Sequence, residues 1–169
     1  DFQAIVSAVL ALEGRDATAA WLKGLKDNGV VYDGNNIVLK SVNNGDTPTG
    51  IAYHYYWYRD QKEAGENSNN SQQYFFGDQD PGAFVSVSGA GILKSSKNKA
   101  DAEKFLEFLV SKEGQQAIAD SYALEYPLNP EVSLDPQVKP FDELEPPQVD
   151  ISSLNSPEVV ELMQDANLL

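Results

Sequence analysis

The sequence contains no cysteine, one histidine (His54), one methionine (Met163) and only 12 basic residues against 26 acidic ones. Without cysteine there is no disulfide framework, no thiolate metal centre and no cysteine nucleophile. A formal net charge of −14 repels phosphate backbones and anionic lipid, which argues against nucleic-acid binding. No apolar run is long enough to span a bilayer, and the richest, at 105–110, is interrupted by Glu107. Gly89-Ala90-Gly91 lacks the rest of a dinucleotide fingerprint, and no Walker lysine pattern occurs. No spaced nucleophile, base and oxyanion set emerges, so the chain reads as a binding protein without catalytic turnover. Its 169 residues can nevertheless bury a sizeable core as one domain or two small ones. The chain opens without an initiating methionine inside an apolar-rich segment, which reads as a processed chain or a piece of a longer one.

Apolar residues at helical spacing over 2–12, closed by Gly14, predict a first helix. Asp16 is expected to cap a second, bearing Trp21, Leu22 and Leu25 and ending by Gly29. Asp33-Gly34-Asn35-Asn36 supplies turn chemistry and a cap for a short helix through Val42, stopped near Gly45. Exposed amides there could bind an anion, and Asn35 reads equally as a cap or turn residue. After Pro48, residues 50–55 read as a short strand, with a helix from Trp57 onwards. Residues 65–73 are a polar loop containing Asn69-Asn70-Ser71, a short match to the glycosylation acceptor pattern. Alternating apolar positions over 83–93, broken by Gly89 and Gly91, read as a strand with a bend or bulge. A helix over 100–110 is expected to bury Ala102, Phe105, Leu106 and Leu109, and Ala117 and Ile118 continue that packing after Gly114. Prolines between 126 and 149 favour an extended connector, and Ser156-Pro157 opens a terminal helix.

Tyr53-His54-Tyr55-Tyr56-Trp57-Tyr58-Arg59 places four tyrosines and the sole histidine within seven residues. Ferric iron is a hard acceptor that favours oxygen donors. A phenol ionises near pH 10 in water, and a cation bonded to its oxygen favours the phenolate. Adjacent side chains on a strand face opposite ways, so Tyr55 and Tyr56 can share one ion only if the strand ends there and the backbone turns. Arg59 lies about one helical turn further on, where its charge can offset phenolates. The same residues also read as an aromatic core or interface, with Arg59 a surface charge and His54 a packed or exposed histidine.

These residues resemble the periplasmic ferric-iron-binding proteins of ABC importers, a class II solute-binding family. The matching blocks run in order from Trp21-Leu22-Lys23-Gly24-Leu25-Lys26 through Tyr55-Tyr56-Trp57, Asp80-Pro81-Gly82-Ala83 and Ser88-Gly89-Ala90 with Leu93-Lys94-Ser95-Ser96. They continue through Phe108-Leu109, Ser111-Lys112-Glu113-Gly114-Gln115 and Glu125-Tyr126-Pro127-Leu128-Asn129-Pro130 to Pro147-Gln148-Val149. The tyrosine pair is the block that points to iron. The resemblance implies an α/β chain with an incomplete class II periplasmic-binding-protein fold, containing parts of two lobes. Residues 1–82 would be part of the tyrosine-bearing ligand lobe, 83–136 a segment of the opposite lobe, and 137–169 a return to the ligand lobe with its terminal helix. It implies Tyr55 and Tyr56 as phenolate donors to Fe(III) cargo, Asn35 as an anion-binding residue for a synergistic anion, and Arg59 as a supporting charge behind the ligands. Tyr53 stands where many relatives carry an asparagine facing the anion. The implied setting is periplasmic or extracytoplasmic, the implied partner an ABC transporter permease, and a missing lobe or second chain is expected to complete the site. Capture of another small anion or metal complex, and a role as an interaction module alone, are the competing readings.

Overall fold

The structure, a computed structural model, describes residues 2–169. The chain packs as two compact units, Asp1–Asp33 with Tyr74–Ser86 and Asp142–Leu169, and Gly34–Gln73 with Val87–Phe141. This division differs from the lobes expected at 1–82, 83–136 and 137–169.

In the first unit, α1 (Phe2–Glu13), α2 (Arg15–Asn28) and α7 (Pro157–Asp165) pack on one another. Their apolar faces meet in a core of Val6, Leu22, Val159, Leu162 and Met163, flanked by Phe2 and Trp21, whose ring centroids are 5.7 Å apart. Burying each such aliphatic side chain contributes roughly 1.5–3 kcal/mol. Gly14 breaks α1 from α2 at φ +80°, a conformation that favours glycine. Its N–H donates to the Leu10 carbonyl, and its own carbonyl accepts from the Thr18 N–H and hydroxyl. Gly14 therefore holds the cap position expected for Asp16, which lies inside the first turn of α2. Arg15 joins α2 to α7 through Glu158 and Glu161. Pro157 occupies the start of α7 with Glu158 in its first turn, as expected, although the Ser156 side chain makes no capping hydrogen bond.

The second unit contains α3 (Asn35–Asn44), α4 (His54–Glu63), α5 (Lys99–Val110) and α6 (Lys112–Ala119). Helix α3 stops at Gly45 in the left-handed conformation, φ +78°. The polar segment after α4 is tied down on both sides. Asn43 donates to the Glu66 carbonyl and accepts from the Asn70 N–H, while Asp60 accepts from Asn67 and Ser68. Ser111 caps α6 by accepting from the Gly114 N–H. The predicted apolar face of α5 is not buried: Phe105 is exposed, and no residue of the helix is fully covered. Within its unit α5 packs on α6.

Two expectations for strands are corrected. Among the described residues there is no strand, neither at 50–55 nor at 83–93. A strand exists only as a ladder with a partner, and no extended neighbour pairs with either segment. Residues 54 and 55 belong instead to α4, and 81–83 form a single 3₁₀ turn held by the Asp80 carboxylate accepting from the Gly82 N–H.

Candidate functional site

The aromatic run lies at the start of α4. The backbone is extended at Tyr53 (φ −69°, ψ 139°) and turns helical at His54. Asn35, the first residue of α3, fixes that turn by accepting from the Tyr53 N–H at 3.0 Å. Tyr55 and Tyr56 thus sit in the first turn of a helix and not on opposite faces of a strand. Successive helical residues are rotated by only about 100°, and the two rings come to 4.6 Å centroid to centroid with 29° between planes. Tyr53 stacks on Tyr55 at 5.6 Å and 10°. Three residues beyond Tyr56, Arg59 places its guanidinium 5.0 Å from the centre of the Tyr56 ring. The structure therefore gathers all four residues singled out from the sequence, with Asn35 acting through the backbone of Tyr53. Among the described residues the Asn35 side-chain NH₂ makes no hydrogen bond, which leaves two donors at the mouth of this turn.

Burial, then a hydrogen bond with Tyr56 and the charges of neighbouring phenols, push the Tyr55 phenol up to about 12. It is neutral at physiological pH without a cation, and a metal bonding to its oxygen must displace that proton. His54 behaves differently. Its Nε2 is 3.0 Å from the Leu124 carbonyl, and its ring meets Tyr126 at 5.0 Å and Tyr58 at 6.3 Å. Burial lowers its pKa, and the ring is committed to packing. Trp57 is likewise tied down, donating from Nε1 to the Ser71 hydroxyl at 3.2 Å.

Sequence reasoning assigned no role to the chain segment that backs this turn. Leu124, fully buried and in the left-handed region at φ +51°, supplies the carbonyl for His54. Tyr126 donates to the Lys139 carbonyl, and burial holds its phenol well above the ordinary value. Tyr122 reaches the Arg59 guanidinium, 5.7 Å from its ring centre. The Glu125-Tyr126-Pro127 block was visible in the sequence, but its approach to α4 spans about seventy residues and has no local signature. Among the described residues no group of three or more His, Cys, Asp or Glu is placed to hold a metal. A concavity in the first unit, lined by Asp78, Gln79, Glu145, Pro146 and Gln148, offers no aromatic oxygen. The start of α4 brings the rings of Tyr53, Tyr55 and Tyr56 and the Arg59 guanidinium together, with Asn35 bound to the Tyr53 backbone, and phenols carry the oxygen donors that a hard metal ion favours.

Comparison with known proteins agrees with that chemistry. The profile of the family described as bacterial extracellular solute-binding protein matches residues 4–146. The Fe(3+)-binding periplasmic protein of Serratia marcescens is 48% identical over 169 residues, covering 100% of this chain and 50% of the relative. The major ferric iron-binding protein of Neisseria meningitidis is 40% identical over 164 residues, covering 96% of this chain and 49% of that protein. Among solved structures, iron-bound HitA from Pseudomonas aeruginosa matches with a TM-score of 0.86 at 41% identity, over 98% of this chain and 53% of that one. The chain spans about half the length of the curated relatives it matches. The expected periplasmic-binding fold is borne out by this likeness, in a portion that is helical among the described residues.

Proposed function

The chain belongs to the bacterial extracellular solute-binding protein family, and we propose that it serves to capture ferric iron outside the cytoplasm and deliver it to the permease of an ABC importer. The observation that carries this reading is the pair of phenols in the first turn of α4, with rings 4.6 Å apart. Tyr55 and Tyr56 supply phenolate oxygens to Fe(III), and Arg59 offsets their negative charge from the adjoining turn. Asn35 both sets the turn and offers its NH₂ to a synergistic anion. Residues 1–82 and 137–169 belong to the tyrosine-bearing lobe and 83–136 to the opposite lobe, with the remaining ligands coming from a further lobe or a second chain. Release needs no chemical turnover, since affinity that differs between open and closed states suffices. The relatives named as Fe(3+)-binding and ferric iron-binding proteins support this reading.

Titration with a soluble ferric chelate tests it. Loading is expected to produce a visible phenolate-to-iron charge-transfer band. Tyr55→Phe and Tyr56→Phe should each weaken and shift the band, and the double replacement should abolish it. A protein that takes up a different anion or metal complex with no such band refutes the assignment to iron.

A further inference from the structure

We propose that Tyr122 is a positioning residue of the iron site: its ring and that of Tyr56 together hold the Arg59 guanidinium beside the two ligand phenols. This rests on the iron reading above. Arg59 is half-buried, and among the described residues it takes part in no ion pair and no side-chain hydrogen bond. Its contacts with charge-complementary groups are the two ring faces, 5.0 Å to Tyr56 and 5.7 Å to Tyr122. A cation on a flexible stem with no carboxylate to fix it is placed by these π faces. Only one of them belongs to a proposed ligand.

Tyr122 is itself unusual. The residue is 73% exposed, yet the backbone on both sides is fixed. Ser121 donates from its hydroxyl to the Ile118 carbonyl and accepts from the Ala123 N–H. Leu124 is fully buried at φ +51°, with its carbonyl against His54. An exposed aromatic on an anchored turn gains little from burial, so its contact with Arg59 is the interaction that its position explains. Among the described residues no carboxylate pairs with the cation, and Glu125, the acid in this turn, receives a hydrogen bond from Ser88 at 3.0 Å. Without Tyr122 the guanidinium is free to leave the Tyr56 ring for solvent, and the site loses a fixed positive charge next to its phenolates. The phenol oxygen of Tyr122 plays no part in this role; the ring face does.

The test has an iron-free arm and an iron-loaded arm, run on the chain itself and on Tyr122→Phe, Tyr122→Ala, Arg59→Gln and the Tyr122→Ala/Arg59→Gln pair. In the iron-free arm, the NMR resonances of the Arg59 side chain should carry ring-current shifts that persist in Tyr122→Phe and shrink in Tyr122→Ala. In the loaded arm, ferric nitrilotriacetate is the probe and citrate the competitor. Tyr122→Ala is expected to weaken iron retention about two- to fivefold, the scale of one exposed cation–π contact, with the charge-transfer band shifted and Tyr122→Phe close to the unaltered chain. The double replacement should be no worse than Arg59→Gln alone. Additive losses, or equal losses in Tyr122→Phe and Tyr122→Ala, would overturn the role. Unchanged Arg59 resonances in Tyr122→Ala overturn it with or without iron, whereas normal resonances with no iron band in the unaltered chain refute the underlying iron reading instead.

Discussion

Asp60, four residues beyond Tyr56, shows how a carboxylate beside the site serves structure and not ligation. Its Oδ2 accepts from the Asn67 N–H at 3.0 Å and from the Ser68 hydroxyl, and its Oδ1 accepts from the Asn67 Nδ2 at 2.9 Å. Burial pushes the carboxyl pKa up, but the hydrogen bonds from Ser68 and Asn67 outweigh it and hold the group below 3.8. A carboxyl depressed by folding stabilises the native state above its unfolded pKa, and that contribution fades as pH falls through the folded value. Asparagine keeps one acceptor oxygen where Asp60 has two, so a donor of Asn67 or of the fully buried Ser68 is left short of a partner. Asp60→Asn is expected to lower the unfolding free energy at neutral pH by about 1–3 kcal/mol. It should also flatten the decline in urea midpoint on acidification below about pH 4. Equal acid sensitivity in both proteins would show that Asp60 is not the group responsible. The sequence offered the Asn-rich loop but not this role, because the acceptor for a loop amide is set by where the helix ends in space.

At the scale of elements, two glycines in helices make opposite predictions. Gly24 lies within α2, and a Cβ built there meets nothing within 4 Å. Gly24→Ala should therefore stabilise by about 0.5–1 kcal/mol through reduced backbone freedom in the unfolded chain. Gly114 lies in the first turn of α6, where a Cβ would stand 2.0 Å from the Phe108 carbonyl oxygen. That contact is with backbone, so Gly114→Ala must part α5 from α6 and should cost about 2 kcal/mol or more. Thermal unfolding of the two variants is expected to move in opposite directions, and a stabilised Gly114→Ala would refute the close approach. Such elements also divide what the sequence could reveal from what it could not. The helices with apolar periodicity and glycine stops, α1, α2 and α3, were legible because their signals are local. The Asp16 cap was misplaced because Gly14, two residues earlier, takes the cap position, its carbonyl accepting from the Thr18 N–H and hydroxyl. The strand expected at 50–55 failed for a different reason: alternation marks a half-buried strand only if a partner lies beside it, while the Asn35 contact to Tyr53 started a helix at His54. That same shift brought the two tyrosine rings together: the turn at the pair was expected from the sequence, but the helix begins at His54, ahead of Tyr55, where a strand had been expected to run to 55.

For the molecule as a whole, the question is how much of a ferric ion's shell these residues can fill. In the proposed site Tyr55 and Tyr56 would give two phenolates, while Arg59 and Asn35 would supply charge and hydrogen-bond donors but no further oxygen ligand. His54 is engaged with Leu124 and the Tyr126 ring. Affinity for a metal grows with the number of donors held ready in one geometry, and donors left to water or buffer contribute little. The chain spans about half of the Serratia marcescens protein, which is named for binding Fe(3+). This chain is therefore expected to retain ferric iron far more weakly than that relative, while still showing a phenolate band at high iron concentration. Free ferric ion hydrolyses, so the measurement is competition against a defined chelator, with light scattering on the same samples to establish whether a second chain takes part. A concentration-dependent rise in retention that tracks dimer formation would mean that the remaining ligands are supplied between chains. Retention equal to that of the Serratia marcescens protein by a strictly monomeric chain would overturn the claim that the site needs completing. The missing donors would then have to lie within these residues, and Tyr53, Tyr58 and Tyr122, three of the other phenols around the start of α4, would be the first to replace by phenylalanine.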